Sequence, residues 1–86
     1  MRLEQEKAVY HVLLGKTYQA LGRLPEAVGE FEEAVRLEQS VASYYLHLAD
    51  AYRLAGRDEE AIAAYERMLE LDPGKKTATQ RLLELR

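Results

Sequence analysis

The sequence contains no cysteine, no tryptophan and no asparagine. Without cysteine, the chain has no disulfide, no thiolate metal site and no thiol catalysis. The amino terminus, MRLEQEK, is too charged for a signal peptide, and no apolar run approaches the length that spans a membrane. We therefore expect a cytoplasmic protein that does not insert into a membrane.

Positive charge is also scarce. Twelve lysines and arginines stand against 15 acidic residues, which gives a net charge of −3 over 86 residues. Nucleic-acid binding normally needs a basic stripe with interleaved aromatic residues, and no such stripe is present. We therefore expect no nucleic-acid partner, and the length predicts one small domain over residues 1–86.

The sequence does contain a near-repetition every 34 residues. When residues 8–41 are laid over 42–75, identical residues meet at Ala8, Tyr10, Leu14, Tyr18, Gly22, Arg23, Glu26, Ala27, Glu32 and Leu37. The matches are largely small, aromatic or apolar residues at helical spacing, with a glycine in the middle of each copy. A fixed period of this size predicts stacked helical units that bury together a face that none can bury alone.

The apolar pattern predicts five helices and no strand. The predicted ranges are Leu3 to Leu21, Pro25 to Glu38, Val41 to Ala55, Glu59 to Leu71, and Lys76 to Leu85. Gly22 and Gly56 end the first and third helices, and Ser40 and Asp58 are the predicted N-caps of the third and fourth. Because the loops are short, neighbouring helices must be antiparallel, and the fold class is all-α, a solenoid of helix hairpins.

The period and its residues resemble the tetratricopeptide repeat (TPR), whose 34-residue pattern is W-x2-L-G-x2-Y, then A-x3-F, then P. The first copy matches at Leu14, Gly15, Tyr18, Ala27 and Phe31, with His11 in the tryptophan place and Gln39 in the proline place. The second copy supplies Tyr45, Leu48, Ala49, Tyr52, Ala61, Tyr65 and Pro73. The resemblance implies two TPR units, about 8–41 and about 42–75, and a capping helix over about 76–86.

Small residues lie where the paired helices are expected to cross. Gly15 and Ala49 fall on one helix of each pair, and Ala27 and Ala61 fall on the other. Large aromatic side chains at facing positions then define a single packing register.

No active site is predicted. The two histidines, His11 and His47, lie on different helices and have no second ligand at metal-binding spacing on their own helix. The carboxylate neighbours 32–33 and 59–60 point about 100° apart on a helix, so they do not form an acid–base pair. We therefore expect a non-enzymatic protein without cofactor or metal, in which His11 is a half-buried ring at an aromatic packing site.

In the TPR family, the first helices of successive pairs line a concave groove that holds peptides or partner helices. By the resemblance, this groove is lined here by Val9, Val12, Lys16, Gln19, Ala20, Ser43, Leu46, His47, Asp50, Arg53, Thr77, Gln80, Arg81 and Glu84. The implied function is an interaction module, or scaffold, that binds a protein or peptide partner.

One mode of the family clamps a partner's terminal carboxylate with two lysines, two asparagines and an arginine. These positions fall here on Val12, Lys16, His47, Thr77 and Arg81, and Arg81 alone keeps the expected type. An internal peptide segment or a folded surface is therefore the expected ligand.

The ends of the array leave an alternative open. The first helix is apolar over more than one face, and Leu83 stands on the last helix where a further repeat needs glycine or alanine. The chain is then either a fragment of a longer array or a self-associating module whose end helices pack on a second copy. The acidic segment 25–39 and the basic segment 75–86 favour self-association.

Overall fold

The computed structural model describes residues 3–85, and all the regular structure in that range is α-helical. The helices are α1 (Leu3–Ala20), α2 (Leu24–Leu37), α3 (Ala42–Leu54), α4 (Asp58–Leu71) and α5 (Lys76–Leu85). The five predicted helices are confirmed, with ends that agree within two residues. Helices that follow one another in sequence pack together, and α1 also touches α3. The helices α1/α2 form the first hairpin and α3/α4 the second.

The two hairpins turn on the same backbone motif. Gly22 and Gly56 both have φ of +79°, a conformation that glycine adopts without steric cost. One residue later, the Arg23 amide donates to the Tyr18 carbonyl at 2.9 Å, and the Arg57 amide donates to the Tyr52 carbonyl at 2.8 Å. These bonds satisfy carbonyls that the helix end would leave unpaired, as in a Schellman motif.

The arginine after each glycine also holds the turn through its side chain. The guanidinium carbon of Arg23 lies 5.2 Å from the Tyr18 ring centre, and that of Arg57 lies 4.8 Å from the Tyr52 ring centre. Each arginine also pairs with the glutamate three residues later, Glu26 or Glu60. Exposed pairs of this kind contribute little individually, so the turn depends mainly on its backbone and its stacking.

The core contains side chains from all five helices and combines large side chains with small ones. The largest fully buried side chains are Tyr65, Phe31, Met68 and Val28. Alanines at crossing positions, among them Ala27, Ala49 and Ala61, are fully buried beside them. This alternation lets the helices approach closely and fill the space at native density.

The tightest crossing is at Gly15. A Cβ atom placed on Gly15 would lie 2.6 Å from Cε1 of Phe31, whose ring has no exposed surface. The prediction that Gly15 permits a close approach is thereby confirmed. The equivalent residue of the second hairpin, Ala49, is an alanine that is itself fully buried.

Both predicted side-chain N-caps are wrong by one residue. The N-cap of α3 is Val41 and that of α4 is Arg57, and neither makes a side-chain capping bond. Asp58 is already the first residue of α4, where its charge complements the helix dipole.

Candidate partner-binding groove

Side chains from α1, α3 and α5 come together along one side of the molecule. Nη1 of Arg81, on α5, lies 3.2 Å from Oδ2 of Asp50, on α3. The helices α1 and α3 are in contact, and the charge of Lys16, on α1, lowers the pKa of His47, on α3. The structure thus brings residues of three alternate helices onto one surface, which we call the groove.

At one position in the groove, Asp50 accepts hydrogen bonds from two helices. Its Oδ1 accepts from the Tyr65 hydroxyl and its Oδ2 from Arg81. Burial, followed by the hydrogen bond to Asp50, raises the pKa of Tyr65 to about 12, so the phenol is protonated at neutral pH. We call Asp50, Tyr65 and Arg81 the second junction; it contains both a carboxylate and its donors.

Arg53 lies beside the second junction. The Tyr65 hydroxyl, with smaller contributions from Asp50 and Glu84, raises the pKa of Arg53 above its usual value. Its Nε atom is buried and has no hydrogen-bond partner within the described residues. A buried donor of this kind is costly unless a further acceptor reaches it.

The equivalent position one repeat earlier has different chemistry. The His47 ring stacks on Phe31, with the ring centres 5.6 Å apart and the planes 21° from parallel. Burial lowers the pKa of His47, Lys16 lowers it further, and Asp50 opposes the change. We call Lys16, Phe31 and His47 the first junction; each member lies 34 residues before its counterpart in the second junction.

The predicted groove residues differ in how much surface they offer a partner. Val12 is only 7% exposed and belongs to the core, whereas Val9 is 47% exposed. Leu46 is half-buried against the core. Gln19 is also half-buried, and Gln80 and Glu84 are exposed. The polar centre of the groove is formed by Lys16, His47, Asp50, Arg53 and Arg81.

The sequence analysis did not identify Phe31 and Tyr65 as residues of the groove. Both belong to the second helix of their hairpin and had been assigned to packing alone. Their rings are fully buried, yet one supports His47 and the other donates its hydroxyl to Asp50. The replacement of phenylalanine by tyrosine between otherwise similar copies was the available signal.

The remaining histidine, His11, has a local structural role. Its Nδ1 lies 2.6 Å from Oε1 of Glu30, on α2, and its ring meets the edge of Tyr10 at 5.6 Å. This half-buried position agrees with the predicted packing role. Within residues 3–85 no group of acidic or histidine side chains is arranged to hold a metal ion. Over the same range, no helix is both long enough and apolar enough to cross a membrane.

Known proteins share this fold. The family model described as tetratricopeptide repeat matches residues 12–76. One similar solved structure is the first TPR of Spaghetti (RPAP3) bound to the HSP90 peptide SRMEEVD, with 29% identity and a TM-score of 0.85 over 92% of this chain. Another is MamA, with 25% identity and a TM-score of 0.87 over 92% of this chain.

The chain spans only part of these solved structures, 64% of the first and 43% of the second. No curated protein sequence matched it significantly. The family model nevertheless covers most of the 86 residues, and its period coincides with the turns at Gly22 and Gly56. The chain belongs to the tetratricopeptide repeat family.

Proposed function

We propose that this chain is a non-enzymatic protein-interaction module whose groove binds a segment or surface of a partner protein. The observation that carries the proposal is the convergence of charged side chains from α1, α3 and α5 on one surface. The Spaghetti TPR domain, which has the same fold, was solved with a bound peptide. That relationship supports a peptide or protein ligand for this chain also.

The proposed ligand is not a chaperone tail held by its terminal carboxylate. Of the five clamp positions, Arg81 alone has the expected residue, and it already pairs with Asp50. Val12, a further clamp position, is buried in the core and has no charge to offer. An internal segment or a folded surface fits this groove better.

The experiment is charge reversal within the groove. Simultaneous Lys16→Glu, Asp50→Lys and Arg53→Glu substitutions should abolish capture of partners that the unmodified chain retains in a pull-down. A matched control, Lys7→Glu with Glu59→Lys and Lys75→Glu, makes the same net charge change at exposed positions outside the groove. If the groove variant captures the same partners as the control, the groove hypothesis is wrong.

Folding of the groove variant needs a separate check, because Asp50→Lys removes the acceptor of Tyr65 and Arg81. Circular dichroism should show unchanged helix content. A milder variant, Lys16→Glu with Arg53→Glu, keeps Asp50 and should still lose partner capture.

A second candidate function is self-association through the end helices. On α1, Leu3, Tyr10 and Leu13 are 60%, 60% and 58% exposed, and Leu83 of α5 is 74% exposed. Apolar surface of this extent at both ends favours a protein interface. Equilibrium sedimentation tests this: Leu13→Glu should dissociate an oligomer, and a strict monomer at high micromolar concentration would exclude self-association.

A further inference from the structure

The outward face of α1 carries large apolar side chains that remain exposed. Leu3, Tyr10 and Leu13 are 60%, 60% and 58% exposed, and Glu6 lies between them in sequence. At about 100° per residue, these four side chains lie on the side of α1 opposite to the fully buried Ala8. We call Leu3, Glu6, Tyr10 and Leu13 the head stripe.

The second hairpin shows the kind of element that covers such a face. Tyr44, the counterpart of Tyr10 one repeat later, packs partly buried against the core. The helix that carries it, α3, packs on the preceding helix α2, whereas α1 has no helix before it in the described residues. A helix laid along the head stripe would therefore bury its apolar side chains in a similar way.

The outward face of α5 presents a hollow at the other end of the array. The hollow has a volume of about 330 Å³, and it is lined by Pro73, Gly74, Lys76, Thr79, Gln80 and Leu83. Four of these residues, 76, 79, 80 and 83, follow the spacing i, i+3, i+4, i+7 that forms a hole for one side chain of a facing helix. Leu83, at the edge of the hole, is 74% exposed.

The two faces match in spacing. We call Pro73, Lys76, Gln80 and Leu83 the tail stripe; like the head stripe, it has intervals of three, four and three residues. When the helices run parallel, the facing pairs are Leu3 with Pro73, Glu6 with Lys76, Tyr10 with Gln80, and Leu13 with Leu83. Apolar residues then meet at both ends, opposite charges meet between them, and the Tyr10 ring faces the hole.

Charge selects the parallel arrangement over the alternatives. Lys76 is the first residue of α5, where the helix dipole disfavours a cation, and it pairs with no carboxylate within residues 3–85. Glu6 likewise has no basic partner in that range. In an antiparallel arrangement Glu6 would face Gln80, and a symmetric contact of α1 with a second α1 would leave Lys76 unpaired. The parallel contact joins the two unpaired charges.

We propose that copies of this chain associate head to tail, with the head stripe of one copy packed parallel along the tail stripe of the next and Tyr10 seated in the hollow on α5. The inference rests on the second candidate function, self-association, and specifies its polarity and register. A buried tyrosine ring supplies a large contact area, and Lys76 lies where its ammonium can contact the ring face. Because head and tail are different surfaces, each added copy offers a new free end, and the assembly lengthens with concentration.

Sedimentation of the full chain tests the polarity. Across the micromolar to millimolar range, the average mass of the unmodified chain should rise beyond that of two copies, where a symmetric dimer would stop. Tyr10→Glu removes the head and Leu83→Glu removes the tail, so each variant alone should be monomeric. An equimolar mixture of the two should form a dimer and nothing larger, because one intact tail meets one intact head. A mixture that stays monomeric would overturn the proposal.

A matched control separates this contact from general apolar association. Leu54, on α3, is 49% exposed and lies outside both stripes. Leu54→Glu should therefore assemble like the unmodified chain. Because Tyr10 and Leu83 are exposed, their variants should keep the helix content of the unmodified chain by circular dichroism.

Charge reversal tests the register. Glu6→Lys or Lys76→Glu alone should weaken association by roughly three- to tenfold, since an attractive pair becomes a repulsive one. Both changes in one chain restore opposite charges at every contact and should recover the lost affinity. Failure of the double variant to recover would show that the two side chains do not face each other.

The absence of cysteine allows a direct check of the same pair by crosslinking. Chains that carry Glu6→Cys, mixed with chains that carry Lys76→Cys and oxidised mildly, should form a disulfide-linked pair, because facing residues of packed helices come within disulfide reach. Glu6→Cys mixed with Gln80→Cys is the control for the antiparallel arrangement. A higher yield in the control mixture would overturn the parallel register.

The outcomes distinguish this inference from the broader proposals. If Leu13→Glu dissociates an oligomer and Leu83→Glu does not, self-association stands and the head-to-tail contact is wrong. If the unmodified chain is a strict monomer at high micromolar concentration, both fail. Partner binding in the groove is tested by its own variants and is independent of either result.

Discussion

The first and second hairpins end on the same turn, yet they present different chemistry to the groove. Each turn has a glycine with φ of +79° followed by an arginine stacked on a tyrosine. In the groove, Phe31 and Lys16 of the first hairpin are replaced by Tyr65 and Asp50 in the second. Backbone motifs are thus held constant while the groove varies. In this chain the shared positions specify the scaffold, and the differing positions include those that we propose to bind a partner.

The largest effect should come from removing the ring that supports the first junction. Phe31→Ala deletes a fully buried side chain and the surface on which His47 stacks. We expect a loss of about 3–5 kcal/mol in the free energy of unfolding, measured by urea denaturation followed by circular dichroism. Tyr10→Ala, which removes a ring that is 60% exposed, is the control and should change stability little. Equal losses in the two variants would contradict the packing described here.

The next effect tests the difference between Gly15 and Ala49. Making the first hairpin like the second by Gly15→Ala puts a methyl group 2.6 Å from the buried Phe31 ring. We expect a loss of about 1–3 kcal/mol, despite the better helix propensity of alanine. The reverse change, Ala49→Gly, should cost roughly 1–2 kcal/mol, because it loses both helix propensity and a fully buried methyl group. A Gly15→Ala variant that gains stability would show that the ring yields and that glycine is not required there.

A smaller effect tests the hydroxyl of Tyr65, because its counterpart in the first hairpin, Phe31, has none. Tyr65→Phe removes the donor to Asp50 while keeping the ring, and should lower stability by about 1–2 kcal/mol at neutral pH. Tyr18→Phe is the control, since it keeps the ring on which Arg23 stacks and removes only the hydroxyl.

The same substitution has a signature at alkaline pH. The folded pKa of Tyr65, about 12, lies above the ordinary value of 10.0, so its contribution is complete below pH 10.0 and is lost as pH rises towards about 12. Tyr65→Phe should remove this part of the alkaline loss of stability. If Tyr65→Phe leaves the dependence of stability on alkaline pH unchanged, the Tyr65 hydroxyl does not bond to Asp50 in the folded chain.

The smallest effect concerns Gly29, in the middle of α2. A Cβ atom added there meets nothing within 4 Å, and the counterpart in the second hairpin is Ala63. Gly29→Ala should therefore stabilise the chain by about 0.5–1 kcal/mol, and Ala63→Gly should destabilise it by a similar amount. Thermal unfolding of the two variants should give shifts of opposite sign. A loss of stability in Gly29→Ala would reveal a close approach at α2 that the isolated chain does not show.

The sequence was sufficient for the helices, the turns and the close crossing at Gly15, because these depend on local spacing and on residue size. It was insufficient for the N-caps. Ser40 and Asp58 have good capping side chains, but each helix begins one residue after the cap that the turn imposes, at Val41 or Arg57. At Arg57 the backbone bond to Tyr52 and the stacking on its ring fix the helix start more firmly than a capping preference can.

The groove was predicted by resemblance, whereas its internal pairing was not. The contact between Asp50 and Arg81 joins residues 31 positions apart on different helices, so no periodicity within one helix reveals it. Lys16 and His47 have the same separation. Once the two copies are aligned, an acid and a base at this separation predict an ion pair between the helices. Val12 was predicted to line the groove, and it is buried instead. Its burial depends on the packing of α1 against the other helices, which composition does not determine.

The order in which the helices touch has a consequence for how the chain folds. Nearly all close packing joins helices that are neighbours in sequence. Few long loops must therefore close before favourable contacts form, and folding should be fast, in the microsecond to millisecond range. With partners on one side only, α1 and α5 should open before the middle of the chain does. Amide hydrogens should accordingly exchange slowest in α2 and α3, and binding across the groove should slow exchange at the two ends most.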